Sequence, residues 1–485
     1  MKNKTLLEID HDFSGGLNTD QPRALVKQKE LIRADNVDIL SRGGFKKRKG
    51  TVNLGNENYE EEVHQLINFP RNDGSEELLA IIGNQFCRLD RGSGEKTELQ
   101  TVNNFRVPYF FLHDRLYFID TGVEFYEYDG LSVKTVIPHD DERNNLEPIK
   151  RCRYAEYHSH SNRIFFAGDT DNNSAIYWSE YLMPNYVKET SQFYPTRAAG
   201  AVKGLISIMD AIFVGFAHSN WVWRGIDPAS DAIWERLPTA HGPINNDCLE
   251  MGTQGLYMVS PGGIMKLSPN IVGINMDTAV GGYIKSLSKN KVDNLLREIK
   301  DLNNVKCVYH PEHHKFYLAI DDKILVLDTA TESYSLYDLD INDFVLMNDG
   351  TLYMAAQSTV VSFSDIYEDM SGDETAEIIK MMVATPEYTL KNSLANKLVS
   401  RLFVTYKNFG PETRIDLKLL VDGEMKQEFE LWGDDSQKNF LSMRRKLRWR
   451  GKTFQLKFIS DQYGPAEVYA VGFEYKQAET GGKTI

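Results

Sequence analysis

Leu116–Tyr128 reads LYFIDTGVEFYEY: an apolar strand, a turn at Asp120-Thr121-Gly122, and a second strand rich in aromatic residues. The same unit recurs along the chain. It is seen as Leu78–Asp90 (LLAIIGNQFCRLD), Ile164–Trp178 (IFFAGDTDNNSAIYW) and Ile212–Trp223 (IFVGFAHSNWVW). It returns as Leu256–Leu267 (LYMVSPGGIMKL), Phe316–Leu327 (FYLAIDDKILVL) and Leu352–Phe363 (LYMAAQSTVVSF). In chain order the starts lie 38, 48, 48, 44, 60 and 36 residues apart. A period of about 40–50 residues with several strands per unit is the mark of a β-propeller. Each small sheet cannot bury both of its faces alone, and radial stacking buries them against neighbours. Gly-Asn, Asp-Thr-Gly, Pro-Gly-Gly and Asp-Asp sit between the paired strands, where hairpins need left-handed or polar residues. The expected fold is all-β: a propeller of six or seven blades with an extended N-terminal arm, one helical insertion and a C-terminal β-sandwich.

Composition agrees. The 485 residues are 41% hydrophobic and 11% aromatic, with 24 Tyr and 24 Phe, a bias towards strands. The formal net charge is −14, which argues against general electrostatic DNA binding. Residues 1–60 carry 11 basic and 9 acidic side chains, and residues 440–485 carry 9 and 4, so the middle holds −21. The ends are mildly basic and the middle is acidic. Cys87, Cys152, Cys248 and Cys307 are scattered and form no CxxC pair, which excludes a zinc ribbon or redox motif and fits a reducing cytosol. The N-terminus lacks the apolar stretch of a secretory signal, and no apolar run reaches the ~18 residues of a membrane span. A soluble protein made and used without a secretion signal is the expectation.

Three regions follow: residues 1–58 as an arm with a short helix over Gln28–Asn36 and a strand over Val37–Leu40, 59–370 as the propeller, and 371–485 as the sandwich. The longest spacing between repeats holds a helical insertion at about 284–303. There Val292, Leu295, Leu296, Ile299 and Leu302 follow the i, i+3, i+4, i+7 pattern and Ser288 stands as N-cap, so a helix packed on its own propeller is expected over Ser288–Leu302. Residues 371–376 (SGDETA) read as a linker. Beyond them Ile415, Leu417 and Leu419 alternate with Asp416 and Lys418, and Phe454, Leu456 and Phe458 with Gln455 and Lys457. One apolar face per strand implies antiparallel sheets packed on each other. The tail Gln477–Ile485 is polar and Gly-rich.

The N-terminal stretch 11–50, HDFSGGLNTDQPRALVKQKELIRADNVDILSRGGFKKRKG, runs aromatic–Gly-Gly–Leu–Asn–Thr, then Asn-Val-Asp, then Gly-Gly-Phe followed by basic residues and Gly50. It resembles the opening of tailed-bacteriophage virion proteins of the β-propeller type, such as tail nozzles (tail tubular protein B) and packaged-DNA-stabilising hub proteins. The matching positions are Phe13, Gly15, Gly16, Asn18, Asn36, Asp38, Gly44, Arg48 and Gly50. The resemblance implies a ring of copies around a DNA path, at the head–tail junction or the tail end. Its implied partners are other copies of itself, virion proteins such as portal, adaptor or tail proteins, and double-stranded DNA passing without sequence-specific binding. Its implied setting is the virion, assembled in the host bacterial cytoplasm. Acidic walls repel phosphate and let a duplex slide, which suits the acidic middle region. Ring closure needs heterologous contacts between neighbours. Phe13, Gly15, Gly16, Leu17 and Asn18 are candidates for that subunit contact, Gly15-Gly16 permitting a sharp reversal. The competing reading has the arm wrap its own propeller and close its last blade.

Met443–Lys452 (MRRKLRWRGK) holds six basic residues. Leu447 and Trp449 alternate with Arg448 and Arg450, as in a half-buried strand with a charged outer face. Arg444, Arg445, Arg448 and Arg450 are the candidate basic docking face towards an acidic neighbour; nucleic-acid binding with Trp449 stacking on a base is the alternative. Lys46–Lys49 (KKRK) reads as a weaker surface copy. His310, His313 and His314, and His158 with His160, have spacings a transition metal accepts but read as turn residues. Asp169, Asp171 and Asn173 followed by Glu180 match a calcium-loop spacing, with Ser174 in place of the turn glycine. No metal or cofactor is expected. There is no GxSxG, Walker loop, GxGxxG, HExxH or sialidase-type Asp box, and the pairs Asp140/Asp141 and Asp321/Asp322 sit in turn contexts. A non-enzymatic structural role is expected. The alternative, a glycan-binding or glycan-cleaving propeller for host attachment, would draw on Trp221, Trp223, Tyr177 and Trp178 at one mouth.

Overall fold

A computed structural model describes residues 5–10, 12–23, 25–55, 57–195, 200–230, 234–237, 239–268, 284–370 and 376–477. The seven repeated segments are the middle two strands of seven antiparallel blades. Their innermost strands, in order, are Val63–Pro70, Tyr109–Leu112, Tyr154–His158, Val202–Ile208, Leu249–Gly252, Lys306–His310 and Asp343–Leu346. Middle strands such as Ala211–Phe216 are buried along their whole length, because a blade is covered on both faces. That is why they read as continuous apolar runs rather than alternating ones. Tight hairpins join the strands; His113 and Asp114 both take left-handed backbone angles (φ 51° and 60°), the geometry of a two-residue primed turn. Blade seven is completed from the other end of the chain: Thr51–Asn53 pairs with Val361–Phe363. The ring therefore closes by hydrogen bonds between residues about three hundred positions apart in sequence.

The sandwich is built from strands of both ends. One sheet orders Phe440–Gly451, Lys397–Lys407, Glu467–Gln477, Phe45–Lys47 and Val37–Ile39, with Leu6–Asp10 also on Glu467–Gln477. The other orders Met381–Ala384, Phe454–Ser460, Arg414–Val421 and Glu424–Trp432. This second sheet continues through Arg33–Asp35 into the outer strand of blade six, Ser333–Tyr337, to make one nine-stranded sheet. Phe13 joins the layers: its ring meets Phe45 edge-on at 5.4 Å, and Phe45 meets Phe458 at the same distance. The expected linker at 371–376, except Ala376, and the tail beyond Gln477 lie outside the described residues.

Two expectations about helices are corrected. Gln28–Asn36 is not helical. Glu30–Leu31 pairs in parallel with Gly16–Leu17, and Arg33–Asp35 is inserted between Ser333–Tyr337 and Met381–Ala384. Long-range sheet partners override the local helical preference. The insertion helix spans Asp293–Arg297 rather than the full stretch from Ser288 to Leu302. Its N-cap is Val292, and Ser288 instead accepts the Ile264 N–H and donates to Asp293. The arm supplies the cap: the Asp20 carboxylate accepts the N–H groups of Asp293 (2.9 Å) and Asn294 (2.8 Å), placing negative charge at the helix N-terminus. Val292, Leu296 and Ile299 are buried, while Leu302 is exposed. A second short helix, Glu147–Lys150, begins with Pro148 in its first turn and lies between blades two and three.

Candidate functional site

Three regions hold the candidate residues: the seam under the arm, the propeller axis and an open edge of the sandwich.

At the seam, Gly16 has φ +65°, and a Cβ there would lie 2.6 Å from the Tyr334 nitrogen. Asn18 donates to Glu30 Oε2 (2.9 Å) and to the Asn290 carbonyl (3.1 Å), and its own oxygen accepts from Gln21 N (3.1 Å). Phe13, Gly15, Gly16, Leu17 and Asn18 are all buried within their own chain. They are therefore not free to touch a neighbour, which corrects their assignment as a subunit contact. The Lys46–Lys49 run is corrected too. Lys47 and Arg48 are buried, at 2% and 1% exposure. Arg48 makes a bidentate pair with Asp369 (2.7 and 2.5 Å), donates from Nε to Asn36 Oδ1 (2.9 Å) and lies over the Tyr337 ring at 5.2 Å. Asn36, with φ 55°, donates to the Lys380 carbonyl (2.9 Å) and accepts from Asp338 N (3.0 Å). Nearby Lys315 donates to Asp38 (2.5 Å), which also accepts the Tyr337 hydroxyl. Burial alone would raise the Asp38 carboxyl; Lys315 outweighs it and leaves it lowered. Lys47 donates to the Gln462 carbonyl (2.7 Å), and burial lowers it to about 8. A Cβ on Gly50 would lie 1.8 Å from the Glu368 carbonyl oxygen. The contacts of Arg48 with Asp369, of Asn36 with Lys380, of Lys47 with Gln462 and of Gly50 with Glu368 each tie the arm to a segment more than three hundred residues away.

The axis is lined by the innermost strands and encloses about 930 Å³. Side chains of one blade accept backbone N–H groups of the next. Asp343 of blade seven accepts Leu66 N (2.8 Å), Gln65 of blade one accepts Val107 N (2.8 Å), and Glu156 of blade three accepts Ser207 N (3.0 Å). Glu250 of blade five stands 3.4 Å from Tyr309 N of blade six. Charge crosses the opening. Arg106 pairs with Asp343 (2.8 Å) and Asp247 (3.6 Å), and Lys306 pairs with Asp247. Glu156 and Glu250 have no such cation among their shift-setting neighbours, and burial pushes both up to about 7. Nothing in the sequence marked these residues, because their convergence depends on ring closure.

At the sandwich edge, Met443 and Leu447 are buried and Arg444, Arg445, Arg448 and Arg450 are exposed on Phe440–Gly451; strict alternation accounts for Arg448 and Arg450 but not for Arg445, which shares the parity of Met443 and Leu447. Among the described residues this strand pairs only with Lys397–Lys407, which leaves its other side open.

The remaining candidates resolve as structure. His310 and His313 stack at 3.9 Å, and burial lowers both. His158 is fully buried against Trp223, hydrogen-bonded to Ser161 (2.8 Å) and lowered to about 4 by burial. No group of three metal ligands occurs among the described residues. In the calcium-like loop a cation is already present: Arg151 lies 2.9 Å from Asp169 and 3.1 Å from Asp171, while Glu180 pairs with Lys188 (2.8 Å). Trp223, Trp178 and Tyr177 are buried core residues, so they do not line a mouth for a glycan. Asp141 pairs with Arg143 (2.8 Å), and Asp321 accepts the Lys300 N–H (3.1 Å). All four cysteines are free thiols. No helix among the described residues is long and apolar enough to cross a membrane.

No protein-family model matches the chain, and no curated protein does. Among solved structures it is similar to U3-55K, with a TM-score of 0.41 and 10% identity over 65% of this chain and 98% of that one. YCF48 bound to D1 peptide gives 0.38 and 12%, over 67% and 96%. The extracellular domain of the putative one component system BT4673 from B. thetaiotaomicron gives 0.45 and 8%, over 92% of this chain and 62% of that one. The propeller assignment rests on the chain's own sheet order, and nothing about function is drawn from these likenesses.

Proposed function

We propose that the chain is a non-enzymatic structural component of a tailed-phage or prophage-derived particle. It would form a ring at the head–tail junction or tail end that continues the DNA channel, holds the genome until ejection and docks neighbouring tail proteins. The observation that carries this reading is the arm motif. Positions that resemble phage propeller proteins, from Phe13 to Gly50, are the ones whose side chains or missing side chains lock propeller to sandwich. A motif under such long-range constraint is a signature of the whole architecture, not of a local turn. The DNA path in this proposal runs between subunits. The propeller's own axis is bridged by ion pairs of Arg106 with Asp343 and Asp247 and of Lys306 with Asp247, which stand in the way of a duplex there. Portal, adaptor or tail proteins are the class of partner this reading expects the ring to dock.

Negative-stain imaging of the purified chain, alone and added to particles lacking it, tests this. Rings with an open lumen, or density at the head–tail junction or tail end, are expected. Saturable binding on a glycan array, with no ring and no particle density, would replace this reading with host-surface attachment.

A further inference from the structure

Among the described residues the sandwich has two open edges side by side, and their charges are opposite. Phe440–Gly451 ends one sheet and Glu424–Trp432 ends the other. Trp449 Nε1 donates to Gln427 Oε1 (3.1 Å) across the gap between them. Residues 438–452 carry seven basic side chains and no acidic one, whereas 424–435 carry five acidic side chains and one lysine. Arg401 and Arg414 hold carboxylates at 2.6 and 3.1 Å, but among the described residues Arg445, Lys446, Arg448 and Arg450 pair with none. Arg444 lies over Phe403 at 5.4 Å. Met425, Trp432 and Phe440 stand at the same border, each about half exposed or more (59%, 48% and 50%). An open edge strand presents unpaired backbone N–H and C=O groups and is a template for another strand.

We infer that these two edges are a docking surface for a second copy of this chain, the basic strand of each pairing with the acidic strand of the other. Symmetry selects this pairing. Rotation about an axis parallel to the strands brings Phe440–Gly451 beside the partner's Glu424–Trp432 and, by the same operation, the reverse. The two strands leave and enter the same connecting turn, so they run in opposite directions and the intermolecular ladders are antiparallel. The other two-fold arrangement sets each basic strand against its own copy, arginine facing arginine, and like charges directly opposite are destabilising. A contact of nine residues is about 30 Å long. It covers the exposed apolar side chains at its ends and brings the unpaired arginines to Glu428 and Glu430, whose ion pairs within their own chain are with Lys418 (3.2 Å) and Arg414 (3.1 Å) on the strand surface. This contact is self-complementary and closes as a pair. The ring of the proposed function needs a second, different contact, so the two ideas fail separately.

Sedimentation equilibrium of the full chain, in low and in high salt, is the test. A pair is expected, weakened at least ten-fold by high salt because exposed charges are screened. R448E/R450E alone and E428R/E430R alone are each expected to sediment as monomers with unchanged circular dichroism. Mixed in equal amounts they are expected to regain the mass of a pair, since each basic stripe then meets an acidic one. Monomers at 100 μM concentration in wild type, or no rescue on mixing, overturns the inference. So does retention of a labelled 30-base-pair duplex by monomeric wild type that R448E/R450E abolishes, which would make the edge a DNA contact.

Discussion

The blades and the seam beneath the arm solve opposite problems. A blade is repetitive and hairpin-linked, and is stabilised by strands such as Ala211–Phe216 that are buried on both faces. The seam has strands of two or three residues, no repeat, and an ionic set in which Arg48 is buried and Asp369, Lys315 and Asp38 are partly buried. Stability in the blades is spread over many equivalent apolar contacts. The seam adds to its apolar contacts, Phe13 and Phe45 among them, a few polar residues that have no substitute, because an unpaired buried charge is costly.

The largest expected effect follows from that contrast. Arg48→Met leaves Asp369 without its bidentate partner and should cost about 3–5 kcal/mol in urea unfolding. Arg115→Met, which removes an exposed pair with Glu127 at the surface of blade two, should cost under about 1 kcal/mol. Equal losses would erase the distinction between the two regions.

Glycines sharpen it. Gly50→Ala forces a Cβ against the Glu368 carbonyl and should destabilise by about 2–3 kcal/mol, the cost of overpacking. Gly122→Ala meets no atom within 4 Å and should cost only the strain of its positive φ, about 1 kcal/mol. Thermal midpoints of the two variants decide this.

The axis brings pH into the comparison. Glu156 and Glu250 are raised from an ordinary value of 4.5 to about 7 by burial. Between those values the folded chain binds more protons than the unfolded chain. Their contribution is therefore fully present below about 4.5 and is lost as pH rises to about 7. Glu156→Gln keeps an acceptor for the Ser207 N–H and removes the titration. It should stabilise by about 3 kcal/mol at pH 8 and change little at pH 4.5, as read from unfolding at both values. An unaltered pH profile would mean the carboxyl is solvated.

The smallest effect is expected at the insertion helix. Asp20→Ala removes the cap on Asp293 and Asn294 and should cost about 1 kcal/mol. Amide exchange should accelerate at Leu296 and not in the blades.

Legibility in the sequence follows the same division. Each blade could be read because burial on both faces writes itself locally, as in LYFIDTGVEFYEY and its six copies. The seam could not. Arg33–Asp35 looks helical until Leu336 and Met382 are known to flank it, and Lys47 and Arg48 look exposed until Gln462 and Asp369 arrive. Gly15, Gly16 and Asn18 stood out as residues with a special task, but the task lies inside the chain. The exposure of Arg448 and Arg450 was legible because Leu447 and Trp449 alternate with them within one strand. The axial carboxyls left no trace, since Glu156 and Glu250 are brought together only by closing the ring.

The arm welds propeller and sandwich into one body. Differential scanning calorimetry of the full chain tests it most directly. One transition with equal calorimetric and van't Hoff enthalpies is predicted, splitting into two when Arg48 is replaced by Met. Two transitions in the unaltered chain would contradict it.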